Sequence, residues 1–494
     1  MEDLKEKAFL GVIWGSGSLV FKEIISLIVK LILIRLLIPD EFGLAAMAAI
    51  VMSSLDIIIS FGIGGAFVRD YKSDQEKAKN TLFYLNGVAH ILIALTGFLI
   101  APYIAGFFSN KLSDPQTIFT LIWIIRVLSL THLLNLITVV PSAVLNKELR
   151  FKEGVIATLV GLIIYGIVAV ILAFLGFGVW ALILSQVASR IMYSIATFFY
   201  VPFIPSLSFD KEIAKRYFTF GINSFISAIF NIIIENGDDT IIGRLLGAAA
   251  LGFYSISQHF SGILVSVVSG VVNSIIFPVF SKIQDNKELY ARAFFKTFRL
   301  TNLLTIPAIG GAVVLAREIV LLVFGERWLP LLPAFYVLSI TAFLSNLVSL
   351  AGPVLNSLNK PHILRNNRLI QFCFFVVLIY PFTKFFGLVG TSLVMVVFSL
   401  VSIVHYAPIL AKEVSGFYKN MFEVLAKILP ITLVMMVIVY FIKQFVPVNF
   451  FWLFALVFIG IIVYFAPMWL IDKDLKWDVK EGWSILREKL PFFK

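Results

Sequence analysis

Five ionisable side chains stand where a membrane-spanning chain can least tolerate them. Lys22 and Lys30 lie in the first long apolar stretch, and Glu235, Asp238 and Asp239 lie in the seventh. In the seventh, Asn223, Ser227, Asn231 and Glu235 recur every four residues, with Asp238 three further on, so they share one helical face. Polar groups at bilayer depth are costly against hydrocarbon and point instead to a bundle interior or a hydrated cavity. The stripe therefore predicts a helix that lines something wet. Ammonium groups there suit a phosphate or pyrophosphate, for which lysine acts as a point charge. Carboxylates there suit a coupling proton or sodium ion, taken up as the surroundings change. The opposing charges could equally pair as a gate, and Glu23 could pair with Lys30 along one face of the first helix.

The same pattern occurs twice. Ser18, Lys22, Ser26 and Lys30 keep the four-residue spacing, and adding 209 to each number gives Ser227, Asn231, Glu235 and Asp239. At that offset Arg35, Leu36, Leu37 and Gly43 become Arg244, Leu245, Leu246 and Gly252. Val144, Leu145 and Asn146 recur 210 residues on as Val354, Leu355 and Asn356, and Gly176 recurs 211 on as Gly387. Ordered matches at a nearly constant offset predict an internal duplication.

The elements that must position these residues follow from composition. The chain has 494 residues, 60% of them hydrophobic and 14% charged, and it falls into fourteen apolar segments. That excludes a soluble protein, and continuous apolar runs exclude a transmembrane barrel. The expected fold class is an all-α integral membrane protein with 14 transmembrane helices. Two six-helix lobes, residues 1–205 and 206–411, are followed by two helices over 412–471 and a tail over 472–494. Apolar residues at helical spacing with lysines and arginines between them make that tail a candidate amphipathic helix on the anionic inner leaflet.

A net charge of +11 reflects loop lysines and arginines instead of nucleic-acid binding. With the N-terminus inside, 29 of the 40 Lys and Arg fall in inside segments and 6 in outside loops, which places both termini in the cytoplasm. The N-terminal stretch lacks a short apolar core followed by a cleavage site, so the first helix is expected to be retained. Arg126 and Arg190, inside the fourth and sixth segments, are further candidates for a cationic cavity. Asp56, His90, His132, His259 and His405 are scattered singly and read as packing residues, and Arg35 and Arg244 as anchors of outer helix ends. The single cysteine, Cys373, excludes an intramolecular disulfide and a Cys-based metal site. No phosphate-binding loop, zinc-hydrolase motif or nucleophile elbow is present, and the loops leave no room for a catalytic domain. A non-enzyme without a cofactor is expected, whose uphill transport draws on an ion gradient or a partner.

Five ordered stretches carry a family likeness: LILIRLLIPDEFGLAAMA, VVPSAVLNKELRFKEG, IPSLSFDKE, ENGDDTIIGRLLGAAALGFYSIS and FGERWLPLLP. Together they resemble the polysaccharide transporter family, a branch of the multidrug, oligosaccharidyl-lipid and polysaccharide exporter superfamily, and above all its Wzx-type exporters of colanic and teichuronic acid. The resemblance implies a flippase of the bacterial inner membrane for undecaprenyl-pyrophosphate-linked oligosaccharide, two six-helix lobes around a cavity, and basic cavity residues that hold the pyrophosphate. The partners it implies are the lipid-linked oligosaccharide, membrane lipids, and the polysaccharide polymerase with other assembly proteins. Lys22, Lys30, Asn231, Arg126 and Arg190 are the candidate substrate contacts, and Glu235, Asp238 and Asp239 the candidate ion-coupling or gating residues. The last two helices resemble the extra pair of lipid II flippases, which borders a lipid-tail groove. A cation-coupled drug antiporter, a lipid II flippase and a membrane polymerase or glycosyltransferase are the rival readings.

Overall fold

The computed structural model describes residues 21–59, 63–111 and 114–471, with side chains described except at 57–59, 221–233, 264, 267–275, 277 and 278. Ser18, the side chains of Asn223, Ser227 and Asn231, and the tail over 472–494 lie outside the described residues. Among the described residues the fold is helical throughout and contains no strand. The helices are α1 over residues 21–36, α2 Pro39–Ile59, α3 Ile63–Arg69, α4 Gln75–Phe108, α5 Pro115–Leu130, α6 Asn135–Lys147, α7 Phe151–Phe174 and α8 Val179–Tyr200. They continue as α9 Lys211–Leu246, α10 Ala248–Ile283, α11 Lys287–Val314, α12 Ala316–Ile319, α13 Leu332–Leu347, α14 Ala351–Ser357, α15 Pro361–Glu413, α16 Phe417–Lys443 and α17 Phe450–Ile471. Nine helical stretches among the described residues are long and apolar enough to cross a membrane.

Helix starts are written in the sequence. Asp74 accepts from the backbone of Glu76 and Lys77, Asp114 from Gln116 and Thr117 ahead of Pro115, and Asp210 from Glu212 and Ile213. Each satisfies donors that a helix start leaves open. Helix interruptions recur about 209 residues apart. Gly178 opens α8 at φ 57°, ψ −132°, and Gly387, 209 residues later, breaks the 53-residue α15 at φ 59°, ψ −138°. The conformational counterpart of Gly387 is thus Gly178, not Gly176. Leu149 and Asn359, 210 apart, are the two non-glycine residues at positive φ among those described, at 57° and 56°. Each sits in the same cap: Arg150 N donates to Leu145 O at 2.9 Å, and Lys360 N to Leu355 O at 2.8 Å.

The chain divides into two compact units. The first runs to His259 and adds Pro333–Phe335 and Arg368–Phe398. At one end of it the turn after α3 is tied down. Lys147 Nζ donates to the carbonyls of Phe67 (3.1 Å) and Asp70 and to Gln75 Oε1 (2.6 Å). Tyr217 Oη donates to Asp70 Oδ2 at 3.0 Å, and Arg216 donates to Ser73 Oγ at 2.7 Å. The connection into α9 is pinned alongside, with Ser206 N on Asn80 Oδ1 (2.7 Å) and Asp210 N on Thr81 Oγ1 (3.1 Å). At the other end of α9, Arg244 donates to the Phe107 carbonyl and lies 4.3 Å over the Phe107 ring, the anchoring role expected of it.

The second unit takes Phe260–Leu332, Tyr336–Asn367 and the chain from Ser399 on. Its polar centre is Asn346, whose Nδ2 donates to Asn302 Oδ1 (2.9 Å) and Thr305 Oγ1 (2.6 Å). Between α11, α16 and α17 it holds an apolar cavity of about 360 Å³, lined by Pro307, Gly311, Met435, Val439, Gly460 and Tyr464 among others.

Candidate functional site

The carboxylates of α9 meet α10 inside the first unit. Asp238 is 1% exposed, and its Oδ2 accepts from Tyr254 Oη at 2.8 Å and from Gln258 Nε2 at 3.4 Å. Tyr254 and Gln258 are four apart, so one face of α10 presents both donors. Oδ1 of Asp238 and Oδ1 of Asp239 are buried and find no hydrogen-bond partner among the described residues. Such oxygens need a proton, a cation or water. Glu235, one turn before, is exposed. The backbone at Gly237 lies so close to α15 that a Cβ would stand 2.3 Å from Cζ of Phe375, and Ile234 packs with Phe375, Ile379, Val394 and Phe398. Packing against α15 thus fixes α9 at Ile234 and Gly237, within one turn of the acids.

On α1, Lys22 is exposed and Lys30 is partly buried. The Glu23 charge acts on Lys30, and the charge of Lys30 also reaches His259 of α10. Arg126 has structural surroundings. Its Nε donates to the Phe98 carbonyl at 3.4 Å, and its guanidinium lies 4.8 Å over Phe98 and 5.2 Å over Trp123. Arg190, on α8, is exposed, and its charge reaches both His90 and His132.

Those two histidines are not isolated, contrary to the sequence reading. The rings of His90 on α4 and His132, in the 3-10 turn Thr131–Leu134, stack with centroids 6.1 Å apart. Asp56 Oδ1 of α2 stands 3.6 Å from His132 Nδ1, and Asn135 Nδ2 stands 3.5 Å from His90 Nδ1. The 3-10 turn interrupts the path from α5 to α6 and packs against α4 and α8. Four residues from four elements thus converge, and spacing along the chain carries no trace of it. The available signal was their presence inside apolar segments, which Asp56, His90, His132 and Arg190 share.

Comparison with known proteins places this geometry. A family model described as "Polysaccharide biosynthesis protein" matches residues 32–333. The teichuronic acid biosynthesis protein TuaB of Bacillus subtilis (strain 168) is 25% identical over 360 residues, 72% of this chain and 72% of that protein. The lipopolysaccharide biosynthesis protein WzxC of Escherichia coli (strain K12) is 24% identical over 361 residues, 71% of this chain and 70% of that protein. Among solved structures, the lipid II flippase MurJ in an inward closed conformation superposes with a TM-score of 0.78 at 14% identity, covering 94% of this chain and 99% of that one. That last likeness is one of fold.

Proposed function

The chain belongs to the polysaccharide biosynthesis protein family, and from that premise we propose that it is a flippase for polyprenyl-pyrophosphate-linked oligosaccharide. It moves the repeat unit across the bacterial cytoplasmic membrane for surface polysaccharide assembly, with both termini in the cytoplasm. Fourteen helices form two six-helix lobes, residues 1–205 and 206–411, with α16 and α17 appended and a surface tail after them. The nearly equal offsets of 209, linking Gly178 with Gly387, and 210, linking Leu149 with Asn359, support that duplication.

The observation that carries the reading is charge held inside helices of a membrane-spanning fold: Lys30 on α1 and Asp238 and Asp239 on α9. Lys22 and Lys30 hold the pyrophosphate, with Asn231 and Arg190 as further proposed contacts; the partners seen for Arg126 favour a positioning role. Asp238 and Asp239 bind the coupling cation or proton, and Glu235 serves the gate. The lobes rock against each other so that the head group crosses in water and the prenyl tail stays in lipid. The apolar cavity beside α16 and α17 has the chemistry to shelter part of that tail.

The test is Lys22→Ala and Lys30→Ala in a host whose own flippase gene is deleted. Both variants should accumulate lipid-linked glycan on the inner face and lose surface polymer. Unchanged polymer in both would remove the lysines from the site, and failure of the parent chain to restore polymer would remove the function.

A further inference from the structure

Asp56, His132 and His90 come together in the first unit within reach of the Arg190 charge, and none of the three is used by the lysine and carboxylate sites above. We infer that Asp56 and His132 form a second, proton-binding site of the first unit, with His90 stacked beside it and Arg190 as a fixed neighbouring cation. The inference rests on the transport reading for its use and on geometry for its existence.

His132 is 1% exposed, and its Nδ1 has no hydrogen-bond partner among the described residues; the nearest acceptor is Asp56 Oδ1 at 3.6 Å. A buried imidazole nitrogen facing a carboxylate just beyond bonding reach is a place where one proton changes the local energy sharply. Once protonated, Nδ1 donates to Asp56, and a small closure of α2 onto the 3-10 turn completes the bond. When the proton leaves, the pair relaxes to the separation seen here. Asp56 has a side chain 48% exposed, and an exposed carboxylate in a membrane helix lines water, which gives the proton an entry.

The surroundings contain few competing charges. From α4 the facing titratable group is His90, 4% exposed, whose Nδ1 is engaged by Asn135 of α6. From α8 it is Arg190. The arginine of α5, Arg126, is engaged at Phe98 and Trp123. Arg190 is exposed and always cationic, so a pyrophosphate drawn to it would weaken its repulsion toward an imidazolium. Substrate and proton are thereby linked through one guanidinium, and linkage of this kind is reciprocal.

The experiment has two arms. In the first, the full chain in lipid nanodiscs is titrated potentiometrically with no substrate, beside Asp56→Asn, His132→Gln and His90→Gln. Wild type should take up about one more proton between about pH 8 and pH 5 than Asp56→Asn or His132→Gln. His90→Gln should keep that proton and shift its midpoint. Superimposable curves for wild type, Asp56→Asn and His132→Gln overturn the site, provided that all three elute as monodisperse protein. In the second arm, vesicles carry a fluorescent polyprenyl-pyrophosphate oligosaccharide. A proton gradient should accelerate wild-type flipping about fivefold or more and leave Asp56→Asn and His132→Gln at their gradient-free rate. Equal acceleration of all three overturns the coupling role. A wild type that flips no lipid under any gradient overturns the transport reading alone, because the titration decides the site without it.

Discussion

Gly43 and Gly252 meet the same obstacle in exchanged roles. A Cβ on Gly43 would stand 1.8 Å from the carbonyl oxygen of Ala248, and a Cβ on Gly252 would stand 2.0 Å from the carbonyl oxygen of Pro39. Both 43 to 252 and 39 to 248 are steps of 209, so a shift of 209 in residue number carries each contact onto the other. A reciprocal contact of that kind is what a pseudo-twofold between the two stretches would produce. It brings the first turns of α2 and α10 to backbone distance.

Because the obstacle is backbone, no rotamer change can accommodate a methyl group. Gly43→Ala and Gly252→Ala should each cost about 1–3 kcal/mol, the usual penalty of overpacking. The double variant should cost clearly less than the sum, since the helices have already parted after the first substitution. Thermal unfolding followed by fluorescence-detected size exclusion checks both statements. Additive losses would mean that the two contacts are independent.

Leu149 adopts the left-handed conformation that its counterpart Asn359 fills more easily. A branched side chain there costs about 1–2 kcal/mol relative to a residue suited to it. Leu149→Gly should therefore raise thermal stability, and Asn359→Leu should lower it by a similar amount. Equal effects of one sign would show that side-chain packing, not the backbone, governs these caps.

How far the sequence could be read depends on whether a feature lies along one helix or between several. The periodic stripe of α9 places Asp238 and Asp239 on one helix, and the cap residues Asp74, Asp114 and Asp210 start helices as their types predict. Those are local facts, fixed by a period of 3.6 residues. The donors to Asp238 come from Tyr254 and Gln258, and no spacing within α9 could name them. For the same reason His90 and His132 read as singles, although packing of the 3-10 turn stacks them. Arg126 read as a cavity cation because its charge was visible and the Phe98 carbonyl and Trp123 ring that engage it were not.

Tyr254→Phe removes the shorter of two hydrogen bonds to a buried carboxylate, a loss of about 1.5–3 kcal/mol. Asp238→Asn keeps an oxygen acceptor for Tyr254 but removes the charge. The first variant should therefore be the less stable, and the second should fold well yet lose ion-driven transport. Stability and gradient-dependent flipping, measured on both, separate the structural part of this bond from the coupling part. Full transport by Asp238→Asn would take Asp238 out of the coupling site.

Gly311 lines the apolar cavity, and a Cβ there would meet nothing within 4 Å. Gly311→Leu should project into the cavity at little cost in stability, given that glycine is itself a poor helix residue by about 1 kcal/mol. If the cavity shelters part of a prenyl chain, flipping should fall while a short-chain analogue is moved nearly as before. An identical loss for both chain lengths would assign the cavity to helix motion instead.

Asp70 gives the pH dependence a definite sign. Burial pushes its carboxyl up, but hydrogen bonds from the Ser73 hydroxyl and backbone, the Tyr217 hydroxyl and the Lys72 backbone outweigh that and hold it below the usual carboxylate range. A depressed folded-state value means that the ionised form stabilises the fold above the unfolded value of 3.8 and that this contribution disappears as pH falls through the lower one. Wild type should thus exceed Asp70→Asn in thermal stability by a constant margin from neutral pH down to about pH 5, and the margin should close below the ordinary carboxylate value. Tyr217→Phe should cost about 1 kcal/mol at neutral pH and less in acid, because its partner is then neutral. A margin that widens on acidification would mean that the Asp70 cluster is held by its protonated form.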